Sequence, residues 1–517
     1  MALPHPNSFF TVALLATLTA LTGCERRTAD TPSRVKTEDL PALPEAIKPK
    51  KIPRSVEQEP KNLTLAVVGE VRGELEPCGC PTLPFGGFER RDTLLKNLKE
   101  EGPGPVFHVD AGDMLIKGFS TRRIDDVQDR AREMLRMSSL VGVDVWVPGT
   151  SDLMALSLEE LKRYKGPPMV SATWKNSAGK HVLPTSIVLK KAGLEVAVIG
   201  ISNAPPEESG LLLEEPHIAV TAALKTIPDS VDWVIGVGNI NEEKARELMA
   251  SVSGLSAFFT TKGAVYNDPP DSNTSRTIIE TPDRGRYMQV VHARLATDPN
   301  EPLLLHPEKA EWRARLSAVR RGEDDALSTV GAGRNLGLVN TIPLSAELDQ
   351  EGAVADRLKD YQKTRRKQAA QRAEEITPHQ KVYASSGTCV NCHSSEFARW
   401  TLTGHARSWR ALLERNATQN PECVACHTTG FGEPGGLGEL TKTNIRKFKG
   451  VQCEECHGPM KGHPADARVL SEPVSKTTCL KCHDEANSPN FVYEQYLPQA
   501  SCQGGSPSIL PAPPEAP

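Results

Sequence analysis

Four copies of the pattern Cys-x-x-Cys-His lie near the C-terminal end of the chain and begin at Cys389, Cys423, Cys453 and Cys479. Two cysteines three residues apart place both sulfurs on one side of a helical turn. There they can form thioethers with the vinyl groups of a haem, and the adjacent histidine can ligate its iron. Structural zinc is the alternative, but zinc sites usually separate the cysteine pair from the histidines by roughly a dozen residues. The pattern therefore predicts four covalently attached haem c groups.

The four motifs fix the predicted attachment and proximal residues. The thioether cysteines are Cys389, Cys392, Cys423, Cys426, Cys453, Cys456, Cys479 and Cys482, and the proximal iron ligands are His393, His427, His457 and His483. Three further histidines of the segment, His379, His405 and His463, are candidate distal ligands, with a surface or packed histidine as the alternative for each. Three distal histidines for four irons would leave one iron open, unless Met460 or a histidine from outside the segment closes it.

The N-terminus carries an export signal. The apolar run from Ser8 to Ala20 is too short to span a bilayer and is typical of the core of a signal peptide. The following Leu21-Thr22-Gly23-Cys24 resembles the lipobox of bacterial lipoproteins, which implies cleavage before Cys24 and lipidation of its thiol. The alternative is an ordinary signal peptide that leaves Cys24 free. We predict a location in the cell envelope, lipid-anchored and facing the periplasm or the cell surface, which suits haem c because it is attached outside the cytoplasm.

The 517 residues are too many for one compact core, and the composition changes along the chain. Apolar runs of strand length alternate with helical patterns over residues 62–296, which predicts an α/β domain. We predict a signal peptide at 1–23, a disordered tether at 24–61, a helical linker at 297–377, a mostly α-helical haem domain at 378–500 and a disordered tail at 501–517. The linker prediction includes solvated helices at 308–321 and 354–375, where Lys, Arg, Glu, Gln and Ala are frequent.

Charge excludes one class of partner. The formal net charge is -4, and Lys and Arg are scattered along the chain, so nothing indicates nucleic-acid binding. The predicted partners are redox proteins and, through the lipid anchor, a membrane. The oligomeric state is left open.

The haem segment resembles the tetrahaem cytochrome c-554-like family over roughly residues 378–500. Besides the four motifs, the resemblance lies in Trp400–Ala406, in Cys456–Pro459 followed by His463, and in Ser488–Phe491 followed by Tyr493 and Tyr496. It implies four haem c groups that transfer electrons, three with two axial histidines and one five-coordinate. By this resemblance we expect the open iron on the haem attached to Cys423 and Cys426.

Residues 62–296 resemble the metallophosphoesterase superfamily, and specifically its 5'-nucleotidase branch. The resemblance lies in Val68–Leu75, His108–Asp113, Pro148–Asp152 and Asp283–Tyr287. It implies an α/β sandwich with a two-metal site built from a D-x-H pair, a bridging Asp, a G-N-H-E turn and three later histidines.

This chain departs from that ligand set at nearly every position. Glu70 and Arg72 replace the D-x-H pair, Thr150 and Ser151 replace the Asn and His of the turn, and Asn239, Lys262 and Ala264 stand near the later histidines. Only Asp113 is kept. The metals would be repelled, so we expect no phosphoesterase activity. Arg72 and Lys262 could bind an anion beside Asp113, or form salt bridges with Glu70 and Asp113.

Cys78 and Cys80 follow the first predicted strand, at the edge of the sheet where ligands bind in α/β folds. They form a redox pair, a soft-metal pair or a structural disulfide, and Cys502 is a further thiol without an assigned role.

Three functions follow from these patterns. The first is an electron-transferring cytochrome whose phosphoesterase-like domain serves docking or ligand binding. The second is a redox enzyme for a small nitrogen or sulfur compound at an open haem. The third is a nucleotide or phosphate-ester hydrolase with a haem appendage.

Overall fold

The structure is a computed structural model that describes residues 61–77, 84–116, 124–261, 277–295, 303–305, 335–466, 468–483, 488 and 490–502. The predicted signal peptide at 1–23 lies outside the described residues. So do the tether at 24–61 except for Lys61, the helix at 308–321, and the tail at 501–517 except for Ser501 and Cys502.

Thirteen strands are found in the described part of the chain. They are β1 (Lys61–Val68), β2 (Val106–Asp110), β3 (Val145–Trp146), β4 (Trp174–Lys175), β5 (Ser186–Lys191), β6 (Leu194–Ile201), β7 (Leu212–Leu213), β8 (Trp233–Gly238), β9 (Ala257–Thr261), β10 (Thr277–Thr281), β11 (Tyr287–Leu295), β12 (Leu304–Leu305) and β13 (Leu336–Pro343).

Fourteen α-helices are found in the same residues. They are α1 (Phe88–Glu101), α2 (Ile124–Leu140), α3 (Thr150–Ala155), α4 (Leu158–Arg163), α5 (Pro216–Leu224), α6 (Glu242–Ser251), α7 (Ala353–Glu374), α8 (Ser394–Trp400), α9 (Ser408–Glu414), α10 (Pro421–His427), α11 (Lys442–Phe448), α12 (Cys453–His457), α13 (Lys476–Leu480) and α14 (Tyr493–Ala500).

The α/β domain is a sandwich of two sheets between helices. The first sheet has the order β12-β13-β11-β1-β2-β3 and the second β10-β9-β8-β6-β5. Apolar side chains of both sheets, such as Leu65 and Phe259, are buried between them because successive residues of a strand face opposite sides. Helices α1 and α2 cover the outer face of the first sheet, and α5 and α6 cover that of the second. The predicted fold class, α/β followed by a mostly helical segment, is confirmed.

The predicted helical linker at 297–377 differs from what the structure shows in its described residues. Leu336–Pro343 is a strand that pairs antiparallel with β11 along its whole length, so the first sheet continues beyond residue 296. Only α7 is helical as predicted, and it is not simply solvated. One face, with residues four or three apart, is buried; it comprises Val354, Leu358, Tyr361, Arg365, Ala369 and Ala373. The many charged residues of this segment made it resemble a solvated helix, so the buried face was not predicted.

Helix α7 contacts both domains. Arg365 at its centre is buried and forms an ion pair of 2.6 Å with Asp126 of α2. Further along, Arg366 donates to the backbone oxygen of Gln419, and the backbone N–H of Gly435 donates to that of Ala373 at 2.9 Å. The helix therefore joins the sandwich to the C-terminal segment by polar contacts at its centre and in its last turn.

Three ionisable side chains are buried between β2 and α1. Burial raises the pKa of Asp110 to about 6 and lowers that of Arg91 to about 10, although the Arg91 Nη1 and Asp110 Oδ2 atoms lie 3.9 Å apart. Burial also holds the pKa of His108, on the same face of β2, well below its usual value. The cost of desolvating these charges thus exceeds their mutual attraction.

We expect Asp110→Asn to remove part of the pH dependence of the stability of this sheet. The folded state holds the Asp110 proton up to about pH 6, whereas the unfolded chain releases it near pH 4. The wild type therefore loses stability relative to the variant as pH rises from 4 to 6, by roughly 3 kcal/mol. His108 contributes with the opposite sign in both proteins and cancels in the comparison.

Hydrogen exchange of peptides from β1 and β2, corrected for intrinsic rates, measures this difference. Asp92→Asn on the surface side of α1 is the control. Parallel pH profiles of wild type and Asp110→Asn would contradict the prediction.

Candidate haem site

All four Cys-x-x-Cys-His motifs line one cavity of about 2380 Å³ in the structure. Its wall includes the eight cysteines and four histidines predicted to bind haem. The cavity exceeds the range of about 300 to 1,000 Å³ of ordinary ligand pockets. The motifs are therefore brought together around a common space large enough for more than one small ligand.

The protein itself provides little core around this space. Among the described residues of the C-terminal segment, the buried apolar cluster consists of Trp409, Leu412, Val424, Leu437 and Phe448. A segment of this length with so small a core needs another source of apolar contact. Porphyrin faces in the cavity would provide it.

Local backbone structure brings each histidine beside its cysteines. The second and third motifs lie within α10 and α12. In the first and fourth, the backbone N–H of the histidine donates to the carbonyl of the first cysteine at 2.9 Å. This helical turn places the first cysteine and the histidine on the same side.

Two proximal histidines are oriented by hydrogen bonds at Nδ1. The Nδ1 atom of His427 lies 2.7 Å from the Ser408 carbonyl, and that of His483 lies 2.8 Å from Ser488 Oγ. Such contacts fix the ring of a ligating histidine and leave Nε2 for the metal. Phe491 also stacks on His483 with ring centroids 4.6 Å apart. The residues present therefore fit haem c.

The three candidate distal histidines are placed differently. His405 and His463 line the cavity, whereas His379 is exposed and lies outside the lining. The rings of His405 and His483 are 6.0 Å apart between centroids. A ligating imidazole nitrogen lies about 2 Å from its metal, so this separation leaves room for one metal ion between the rings. Burial lowers the pKa of His405 and so favours the neutral form that ligates.

A residue of the third motif forms hydrogen bonds with the backbone that precedes the first motif. The buried Glu454 carboxylate accepts backbone N–H bonds from Ala384 at 2.8 Å, from Ser385 at 2.6 Å and from Met460 at 2.8 Å. A hydrogen bond from the Cys453 thiol lowers the pKa of Cys389, so these two sulfurs lie close together. The haems predicted at the first and third motifs would therefore be neighbours. Glu454 lies between the two cysteines of its motif, at a position that the haem-attachment pattern leaves variable, so no sequence pattern predicts its role.

The α/β domain and α7 supply part of the cavity wall. Glu76, Arg130, Arg286 and Tyr361 line it together with the haem-binding residues. Arg130 of α2 forms an ion pair with Glu422, the residue before Cys423. No local sequence pattern relates these distant positions, so this part of the wall was not predicted.

The residues at the superfamily's metal positions lie at the carboxyl ends of the strands. Arg72 Nη2 forms an ion pair of 2.6 Å with Glu70 Oε2, as one of the two predicted alternatives requires. Asp113 Oδ1 accepts bonds from the backbone N–H and the hydroxyl of Ser151 at 2.8 and 2.6 Å, and Oδ2 accepts from Asn203 at 3.3 Å. Burial raises the pKa of Glu70.

Several predicted site residues are outside the described residues: Cys24, Cys78, Cys80 and Lys262. Pro77 and Pro84, the described residues on either side of Cys78 and Cys80, line the haem cavity. Cys502 also lines it. Within the described ranges, no three His, Cys, Asp or Glu side chains are grouped so as to hold a metal ion, and no helix is long and apolar enough to cross a membrane.

Solved structures similar to this chain include a thiohydrolase, a 5'-nucleotidase and a phosphoesterase. A sulfate thiohydrolase, SoxB, from Thermus thermophilus has a TM-score of 0.46 at 15% identity and covers 68% of this chain and 69% of its own. A 5'-nucleotidase precursor from the same organism has a TM-score of 0.44 at 15% identity, covering 69% and 68%. The calcineurin-like phosphoesterase YfkN from Bacillus subtilis has a TM-score of 0.45 at 12% identity, covering 59% and 98%.

The C-terminal segment has relatives detected from sequence. Cytochrome c-554 of Nitrosomonas europaea is 29% identical over 104 residues, which cover 17% of this chain and 43% of the relative, so the chain spans less than half of that protein. Residues 388–458 match the model of the family "Cytochrome c554 and c-prime". The predicted resemblance of the C-terminal segment to this family is confirmed over those residues, and it implies haem c binding and electron transfer there.

Proposed function

We propose that the protein is an exported cytochrome that transfers electrons through four haem c groups. The observation that carries the proposal is that all eight motif cysteines and all four proximal histidines line one cavity. Haem iron supplies one-electron chemistry when it is bound. The chain's part is to hold the groups close together, to orient His427 and His483 through Nδ1, and to exclude water.

The cellular location of the protein is part of the same proposal. Haem c attachment requires export, and the apolar run ending at Cys24 would supply both the export signal and a lipid anchor. The protein would then exchange electrons with redox partners at the surface of a membrane.

We expect the exported wild type to carry four covalent haems and Cys453→Ala/Cys456→Ala to carry three. Removing both cysteines abolishes both thioethers of one motif and leaves the other three motifs intact. Intact mass spectrometry with haem staining after denaturation measures the number. Cys502→Ser is the matched control, because Cys502 lines the same cavity outside any motif, and it should keep four. A wild type with no tetrapyrrole, or with zinc instead, would refute the cytochrome function.

His405 is proposed as an axial ligand opposite His483. We expect His405→Ala to convert one low-spin haem to high spin, since the 6.0 Å spacing of the two rings suits one iron. Electron paramagnetic resonance of the ferric protein measures the change. His379→Ala is the comparison, and because His379 is exposed outside the cavity lining we expect no change. An unchanged spectrum for His405→Ala, or a lost low-spin signal for His379→Ala, would reverse the assignment.

A second candidate function is reduction or oxidation of a small nitrogen or sulfur compound at an open iron. Its support is the number of candidate distal histidines. In the described C-terminal segment, two of them, His405 and His463, line the cavity together with the four proximal histidines, so there are fewer distal candidates than irons. A high-spin signal in the wild type that changes with nitric oxide, nitrite or sulfite would favour this function over simple electron transfer.

The α/β domain is proposed to have lost metal-dependent hydrolysis. Arg72 places a guanidinium beside Glu70. Ser151 and Asn203 donate hydrogen bonds to the two carboxylate oxygens of Asp113, the oxygens that a bridging Asp would use to bind metals. We expect no phosphate release from nucleotides with manganese or zinc above that of heat-denatured protein, with an active 5'-nucleotidase as positive control. Metal-dependent release that is lost in Asp113→Asn would restore the hydrolase function.

A further inference from the structure

The cavity wall contributed by the α/β domain and α7 contains hydrogen-bond donors for which the described residues supply no acceptor. Tyr361 is 6% exposed, and no acceptor for its hydroxyl hydrogen is found among the described residues. Its neighbour is the guanidinium of Arg130, which can only donate. The buried Nε of Arg286, also in the lining, has no partner in the described structure either.

Buried donors without acceptors are costly, because the hydrogen bonds to water that they lose are not replaced. Native proteins therefore rarely keep them unless a ligand completes the bonds. Burial raises the pKa of Tyr361, so the phenol stays protonated and remains a donor. A hydroxyl beside a guanidinium suits an oxygen anion, which can accept from both.

The position of Arg130 relates this wall to one haem motif. Its guanidinium pairs with Glu422, which directly precedes Cys423 in α10. Glu422 and Cys423 both line the cavity, as do Arg130 and Tyr361. The α/β domain also contributes the carboxylates of Glu74, Glu76 and Glu89 to this wall. Glu76 is held by the Gln362 amide, and burial raises its pKa to about 7. The donors thus face the space beside the second motif.

We propose that Tyr361 and Arg130, assisted by Arg286, bind a carboxylate or small oxyanion in the cavity beside Cys423 and Cys426. The anion is a propionate of the haem attached there or a free oxyanion that enters the cavity. In either case the α/β domain and α7 complete a haem site whose covalent attachment lies in another domain. The proposal rests on haem binding as proposed above.

Tyr361→Phe tests the proposal with the loss of one oxygen atom, and Arg130→Gln tests the charge. Full-length, haem-loaded proteins are first counted for haem by mass spectrometry, because wild type without haem would refute the cytochrome function rather than this site. The controls are Tyr164→Phe, a half-buried tyrosine away from the cavity, and Arg132→Gln, two residues along α2, where Arg132 pairs with Asp129 and Glu160.

The two sources of the anion give different results. If it is a propionate, loss of a donor leaves more negative charge beside one iron and stabilises its ferric state. In a spectroelectrochemical titration without added anions, one of the four midpoint potentials then falls and the other three stay unchanged. If it is a free oxyanion, the potentials stay the same, and the optical change of the wild type on titration with nitrite or sulfite weakens at least tenfold in Tyr361→Phe.

Potentials and anion titrations that match those of the control variants would overturn the proposal. Should Arg130→Gln fail to fold because its pair with Glu422 is lost, Tyr361→Phe alone decides, since it retains that ion pair.

Discussion

The C-terminal segment depends on a group that is not made of amino acids. Its walls surround about 2380 Å³, while the buried apolar cluster of its described residues contains five side chains. Apolar burial is the main favourable contribution to folding, so these walls gain stability chiefly from what they enclose. Haem attachment and folding of this segment are therefore expected to be coupled, as metal binding and folding are in small metal domains.

This dependence extends to the α/β domain through α7 and α2. Arg365 of α7 is buried and paired with Asp126, while Arg130 of α2 pairs with Glu422 beside the second motif. Removing one partner of a buried ion pair leaves an uncompensated charge, which is strongly destabilising. These two ion pairs therefore connect α2 of the α/β domain with α7 and with the C-terminal segment.

The sequence predicted those features whose causes are local. The buried strands β1, β2, β6 and β8 are rich in apolar residues, and each haem motif determines its own helical turn. The sequence did not predict the features that depend on contacts between residues far apart in the chain. The strand Leu336–Pro343 belongs to a sheet that begins at Lys61, and the buried face of α7 includes Arg365, whose burial only Asp126 makes tolerable. The roles of Glu454 and Tyr361 were likewise not predicted, since their partners lie many positions away in the chain.

The turn after β1 shows how the phosphoesterase-like scaffold relates to the haem cavity. Glu70, Arg72 and Asp113 all have positive φ angles, of 45°, 50° and 48°, a conformation that costs about 1 to 3 kcal/mol for each such residue. Backbone bonds hold them there, from Glu70 N to Gly112 O at 2.8 Å and from Arg72 N to Asp113 O at 3.0 Å.

The same turn directs the following residues away from the sheet. Gly73, with φ of 75°, and then Glu74, Leu75 and Glu76 run along the cavity wall. A Cβ atom on Gly73 would lie 3.0 Å from the Leu115 carbonyl, so any other residue at this positive φ angle would be strained. The strained turn after β1 thus leads a segment of the α/β domain to the cavity that the four motifs line.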